Sequence, residues 1–413
     1  RVRVHLVPLM YLNRLSLTNF RCFSRLDLDI PREIFLLIGG NAQGKTTLLE
    51  AIHMLSAMTS FHAASDRQLI NFMTPENQLV VGRIVGEFQR KDGAHKIEIR
   101  LIRETNGYNG NGRFRKEALL DGVKRKLSDI MGQFNVVLFL PQMARIVEEG
   151  PSERRRFLDM LISQVSAAYV QHFSDYGQTL TQRNALLKQL FERGGDPQQL
   201  AVWDGMLARH GAFIMHARIQ AIREMEEEAK RVHFDLTHGK EILRLDYLPA
   251  YEPLRSPEGQ MVLPVGDVPD RSGLSQEEIE EGLLQALKKL QREEIARGVT
   301  TIGPHRDELR FLCNQVDLGD YGSRGQGRTA LLAMKLAEVH WLKRRTGEWP
   351  VLLLDETLSE LDVQRREDLL KTIAQCDQAI LTSTDLSMFE ESFVTAHPVW
   401  RVTDGMVRPE AIS

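Results

Sequence analysis

The residues best suited to chemistry are Gly39, Gly40, Asn41, Ala42, Gln43, Gly44, Lys45, Thr46 and Thr47. They fit G-x-x-x-x-G-K-[ST], a loop whose backbone N–H groups turn inward around a polyphosphate. In that pattern Lys45 reaches the β- and γ-phosphates and the Thr46 hydroxyl binds Mg²⁺. A second group is Asp355-Glu356, which ends the apolar run Val351-Leu352-Leu353-Leu354. Asp355 has the chemistry to hold Mg²⁺, directly or through water, and Glu356 to polarise a water attacking the γ-phosphate. The third is Tyr321–Arg328, where glycines surround Ser323 at a helix start and form a second anion-binding nest. One chain already has its phosphate loop, so a second nest is most useful over the ATP of another copy. The cofactors implied are ATP and Mg²⁺.

These groups need a scaffold, and the pattern supplies one. Ile34–Ile38 is a continuous apolar run, as in a strand covered on both faces. Leu48, Leu49, Ile52, Leu55 and Met58 then recur at helical spacing. Residues 15–30 alternate as two half-buried strands, and further strands are expected at Leu79–Phe88, Lys96–Arg103 and Asn135–Leu140. Ala118–Lys124 reads as a hairpin turning at Asp121-Gly122, after a Gly- and Asn-rich loop at Asn106–Gly112. After Gly150-Pro151 the character changes. Ser152 is expected to cap one long helix with a stripe from Leu158 to Leu180. A second helix reaches about Phe234, and the box Ser275-Gln276-Glu277-Glu278 opens a third. Tyr247–Gly273 reads as a loop. Strand pattern returns at Leu309–Cys313, the Asp355 run and Ala379–Leu381.

The expected fold is α/β, with domains at 10–145 (phosphate loop), 146–298 (helical) and 299–413 (Ser323 and Asp355). Residues 1–9 carry no motif and are expected to be an upstream start or an expression remnant. The 413 residues carry a net charge of −3, which excludes a uniformly basic nucleic-acid coat but allows local patches such as 124–126, 154–156 and 343–345. Cys22, Cys313 and Cys376 are far apart, as in a reduced, cytoplasmic protein without a zinc frame. No apolar run approaches the roughly 18 residues of a membrane span.

Gly39–Thr47, Gln142, Ser323–Arg328, Asp355-Glu356 and Leu358–Asp362 resemble, in order, the Walker A, Q-loop, signature, Walker B and D-loop of ABC-type ATPases. More closely, Leu17–Arg21, Gly44–Ile52, Arg154–Asp159, Thr301–Asp307 and Gly322–Arg328 resemble the RecF family, related to the SMC-type repair ATPases. The resemblance implies an ABC-type P-loop ATPase head, a mixed sheet with flanking helices, into which an α-helical lobe is inserted. It implies ATP-driven homodimerisation reversed by slow hydrolysis, binding of single-stranded and gapped DNA, support for recombinase loading and the SOS response, and RecR and RecO as partners. On that resemblance Ser323 contacts the γ-phosphate on the partner subunit, Gln142 links phosphate and Mg²⁺ to the helical lobe, and Arg21 touches phosphate or base. Gly327 and His62-Ala63 depart from the family pattern, and Thr384 stands at the expected switch position, which is His in many ABC proteins. Two other readings of the motifs are a metabolic P-loop kinase and an SMC-like ATPase of a defence system.

Overall fold

A computed structural model of the chain describes residues 10–74, 79–104, 113–254 and 268–410. The chain divides into two compact units, 1–143 with 338–413, and 144–337.

Two sheets build the first unit. One is antiparallel: β1 (Tyr11–Phe20) pairs β2 (Phe23–Asp29) and β4 (Val80–Arg90), then β5 (Gly93–Glu104), β6 (Arg113–Leu120) and β7 (Val123–Arg125). The Asp121-Gly122 turn closes the last pair, as its sequence predicts, with Asp121 at φ +50° and Gly122 at φ +81°. The second sheet has β3 (Ile34–Ile38), β8 (Val136–Phe139), β12 (Val351–Asp355), β13 (Ala379–Ser383), β14 (Val399–Thr403) and β15 (Met406–Glu410). Its order is β15-β14-β3-β13-β12-β8, parallel except for the edge strand β15. Every residue of β3, β12 and β13 is buried, which is why 34–38, 351–354 and 379–381 read as unbroken apolar runs. Helix α1 (Lys45–Ala57) touches strands of both sheets. Leu48, Leu49, Ile52 and Leu55 join one core with Leu15, Leu17, Ile84, Ile99, Leu353 and Ile380. Burying a side chain of this kind contributes about 1.5–3 kcal/mol.

The second unit is mainly helical: α2 (Pro151–Ser163), α3 (Ala167–Arg193), α4 (Leu200–Leu236), α5 (Gln276–Arg297) and the start of α6 (Arg324–Thr346). The expected single helix from Ser152 is two. Pro151 occupies the first turn of α2, and Ser166 restarts the chain by accepting the Tyr169 N–H at 3.1 Å. The apolar stripe runs across the break, so periodicity alone does not reveal it. The Ser275 capping box forms as its sequence predicts. A small sheet is added to the helices: β9 (Leu243–Leu248) pairs β10 (Glu308–Cys313), which pairs β11 (Val316–Asp317). β9 takes Tyr247 and Leu248 from the start of the expected loop, while 255–267 and 105–112 lie outside the described residues. This pairing explains why the second compact unit extends to Ala337 instead of the expected 298: Leu309 sits opposite Tyr247, and β10 belongs with the helices.

A buried ionic network holds these elements together. Arg218 of α4 donates to Asp159 of α2 at 2.8 Å, to the Pro304 carbonyl at 2.7 Å and to Asp307 at 3.3 Å. Asp307 also accepts from the Tyr247 hydroxyl and, at 2.9 Å, from the Ala250 N–H. Asp159 accepts from Tyr169 at 2.5 Å, and Arg155 donates to the Asp307 carbonyl at 2.7 Å. The Arg154–Asp159 and Gly303–Asp307 blocks are therefore parts of one buried structure. Gly303, at φ +117°, has no room for a Cβ, which would press on the Tyr176 hydroxyl 2.5 Å away.

Candidate functional site: the phosphate loop cleft

The phosphate loop spans the end of β3 and the start of α1. Glycine is required twice. A Cβ on Gly39 would collide with the Val402 carbonyl oxygen. One on Gly44, at φ +110°, would stand 3.0 Å from the Phe23 ring and 3.2 Å from Cys22 Sγ. Gln43 Oε1 accepts from the Asp404 N–H at 2.6 Å and ties the loop to the β14–β15 turn.

β13 separates β3 from β12 in the sheet, so the tip of β12 emerges beside the loop. Thr46 donates to Asp355 Oδ2 at 2.8 Å, and Thr382 of β13 donates to Asp355 Oδ1 at 2.7 Å. Both carboxylate oxygens of this buried aspartate are thereby aimed. Glu356 takes a left-handed backbone, φ +50°. Its N–H donates to Thr382 Oγ1 at 3.1 Å and its carbonyl accepts from Ser359 at 2.6 Å. Lys45, only 4% exposed, donates to the carbonyls of Gly39 at 2.7 Å and Gly40 at 3.1 Å, and its Nζ lies 3.2 Å from Glu356 Oε1. Asn41, Ala42, Gln43, Gly44, Lys45, Thr46 and Thr47 line a cleft of about 590 Å³ together with Cys22, Gln142, Asp355 and Glu356.

Loop N–H groups, a lysine and the start of α1 can hold a polyphosphate in this cleft. The Thr46 hydroxyl and the Asp355 carboxylate form the hard oxygen pair that Mg²⁺ accepts. Gln142 lies in the same cleft, on a short 3₁₀ turn after β8, Pro141–Ala144.

Three residues take positions that sequence did not anticipate. Arg21, at φ +52°, donates to both oxygens of the buried Glu50 of α1 at 2.9 and 2.8 Å instead of presenting its fork to the cleft. Ser60 also donates to Glu50 and accepts the N–H groups of His62 and Ala63, at 2.9 and 2.7 Å. The His62-Ala63 departure therefore sits on a loop built from Ser60. Thr384 is exposed, with its hydroxyl turned to Asp385 at 3.4 Å, whereas Thr382, two residues earlier, is the one that touches Asp355.

Ser323 belongs to the other compact unit and is exposed just before α6. Its hydroxyl accepts the Gln326 N–H at 3.2 Å, and Gln326 Oε1 accepts the Ser323 N–H at 3.0 Å. The signature Ser-x-x-Gln is thus a reciprocal capping box that leaves the serine O–H proton free to donate. Among the basic runs, 124–126 is exposed, with Lys124 2.8 Å from Glu117. Arg154 is spent on Glu308 and on two backbone carbonyls. Lys343 and Arg345 lie over the rings of Trp349 and Trp341.

Known proteins resemble this chain over nearly its whole length. The family model described as RecF/RecN/SMC N terminal domain matches residues 11–407. The DNA replication and repair protein RecF of Herpetosiphon aurantiacus is 37% identical over 408 residues, 97% of this chain and 100% of that protein. RecF of Chloroflexus aurantiacus is 38% identical, covering 96% of this chain and 99% of that one. Two solved structures are similar throughout: the recombination mediator protein RecF with ATP (TM-score 0.83, 31% identity, 99% of this chain and 100% of that chain) and RecF-ATPrS of the RecFOR pathway (0.81, 32%, 97% and 98%). The Smc head domain of Pyrococcus furiosus shares the fold, with a TM-score of 0.50 at 16% identity over 98% of this chain and 97% of that chain.

Proposed function

From the premise that this chain belongs to the RecF family, and is an SMC/ABC-type ATPase of DNA replication and repair, we propose that ATP closes two copies of it into a DNA clamp and that slow hydrolysis reopens them. Lys45 and the loop N–H groups of 39–47 grip the β- and γ-phosphates. Thr46 and Asp355, with Gln142 beside them, hold Mg²⁺, which when bound neutralises charge developing on the phosphates. Glu356 orients and deprotonates the attacking water. Ser323 donates to the γ-phosphate held by the other subunit. Arg21 reaches base or phosphate only by giving up part of its contact with Glu50.

DNA, single-stranded or gapped duplex, binds across both subunits through phosphate contacts. The exposed Lys124-Arg125-Lys126 run is the basic segment best placed to contribute. RecR and RecO are the partners and recombinase loading with the SOS response the setting, in the cytoplasm. Among the described residues no helix is long and apolar enough to cross a membrane.

The observation that supports this most is Thr46 and Asp355 joined at 2.8 Å in one cleft with Lys45 and Glu356, while Ser323 stands exposed at a helix start. Sizing the wild type and Lys45→Met with and without ATP tests it. The wild type should dimerise with ATP and Lys45→Met should not. A monomer throughout, in wild-type protein that hydrolyses ATP, sinks the clamp. DNA affinity should also rise with ATP and fall with salt.

A further inference from the structure

The Gln326 side chain is held from two sides. Its Oε1 accepts the Ser323 N–H at 3.0 Å, and its Nε2 donates to Glu241 Oε1 at 2.8 Å. A carboxylate only accepts, so Glu241 fixes which end of the amide faces it and leaves the oxygen for Ser323. Glu241 is itself anchored. Its N–H donates to Thr237 Oγ1 at 3.3 Å, in the turn after α4. The next residue, Ile242, donates to Asn314 Oδ1 at 2.9 Å and accepts the Asn314 N–H at 3.0 Å. The other oxygen faces His233 Nε2 at 3.7 Å. Burial, and after it the hydrogen bond to the same carboxylate, push the Cys313 thiol up to about 12 and keep it a donor.

Potential ligand atoms of His233, Glu241 and Cys313 lie within 4.8 Å of one another. Three donors, with the carboxylate already engaged by Gln326 and the thiol, make an anchor rather than a built metal centre.

We infer that Glu241 is a positioning residue for the signature serine: by orienting the Gln326 amide it holds the capping box that presents the Ser323 hydroxyl to a second copy of this chain. The functional half of this inference rests on the trans role of Ser323 proposed above; the structural half does not. Nucleotide gripping by the Lys45 loop should not depend on Glu241, since that loop lies in the other compact unit.

The test is hydrogen exchange at the Ser323 amide in nucleotide-free protein, then binding of a fluorescent ATP analogue and ATP-dependent sizing. Glu241→Leu should exchange Ser323 at least about tenfold faster, since a charge-assisted hydrogen bond no longer orients its acceptor. It should bind the analogue as the wild type does and dimerise at least about tenfold more weakly. Glu241→Gln, whose amide oxygen still accepts from Gln326 Nε2, should restore most of both. Gln326→Ala should reproduce the Leu phenotype, and the double variant should be no worse than either single one. Unchanged Ser323 exchange in both Glu241→Leu and Gln326→Ala overturns the inference, as does faster exchange with wild-type dimerisation. If the wild type never dimerises, the clamp reading fails, and Ser323 exchange still decides whether Glu241 holds the box.

Discussion

Glu356→Gln should move two observables in opposite directions. The side chain keeps its shape and the left-handed backbone keeps its partners, since the Glu356 N–H is bound to Thr382 and its carbonyl to Ser359. The loss is one of charge. Lys45 Nζ sits 3.2 Å from Glu356, so this carboxylate competes with a polyphosphate for the lysine. Lys45 is buried but Glu356 is 40% exposed, so solvent screens the pair and its worth is about 1 kcal/mol. Removing it should tighten ATP binding up to about fivefold. In the role proposed for Glu356 the transition state loses its base, a loss of about 10²–10⁴ in rate, or roughly 3–5 kcal/mol. Single-turnover phosphate release, equilibrium ATP binding and sizing read the three consequences: slow hydrolysis, tighter ATP and a trapped dimer. Turnover within about tenfold of wild type would show that Glu356 is not the base. Weaker ATP binding would refute its competition for Lys45.

Arg218→Met should destabilise the protein by about 3–5 kcal/mol, because Asp159 and the buried Asp307 lose their shared cation; a shift of the urea midpoint worth under about 1 kcal/mol would refute that role. Gly44→Ala should cost about 1–3 kcal/mol from the φ +110° backbone and the Phe23 contact, and should abolish ATP binding by calorimetry. His305, packed against the Tyr176 hydroxyl 2.6 Å from Nδ1, is lowered to about 4 chiefly by burial. The unfolded chain then binds more protons between about pH 6.5 and 4, so this histidine's contribution is intact above 6.5 and falls as the pH drops, by up to about 3 kcal/mol. His305→Gln should flatten that acid limb in urea unfolding, and an NMR titration of His305 near 6.5 would contradict the mechanism.

Legibility in the sequence tracks the range of the forces involved. β3, β12 and β13 are buried on both faces, so their composition alone marks them, and the Lys45 loop and Asp355 fall at their tips. The Asp121-Gly122 turn and the Ser275 box are local backbone chemistry and are equally legible. β9 carries a visible alternation, Leu243, Leu245 and Tyr247 inward, yet its short length and the Pro-rich stretch after it hide it. β14 and β15 are five residues each, and only the turn at Asp404-Gly405 betrays them.

Partner choice over long separations is not written in any window. Nothing near Leu309 says that its strand pairs with Tyr247, so the helical unit is longer than composition suggests, and it carries Ser323 with it. The same limit applies at the site. Thr382 is one more hydroxyl at a strand end until β13 sets it between β3 and β12, where it can reach Asp355 and the Glu356 N–H together. Arg21 reads as a free cation until α1 brings Glu50 beneath it. A motif therefore identifies the atoms with the chemistry to meet phosphate, while the residues that aim those atoms come from elements far away in the chain. That division predicts where substitutions should separate binding from turnover. Changes at 39–47 should abolish the grip on nucleotide. Changes at Thr382 or Glu241, which touch no phosphate in this arrangement, should leave nucleotide bound and impair hydrolysis in the first case and dimer closure in the second.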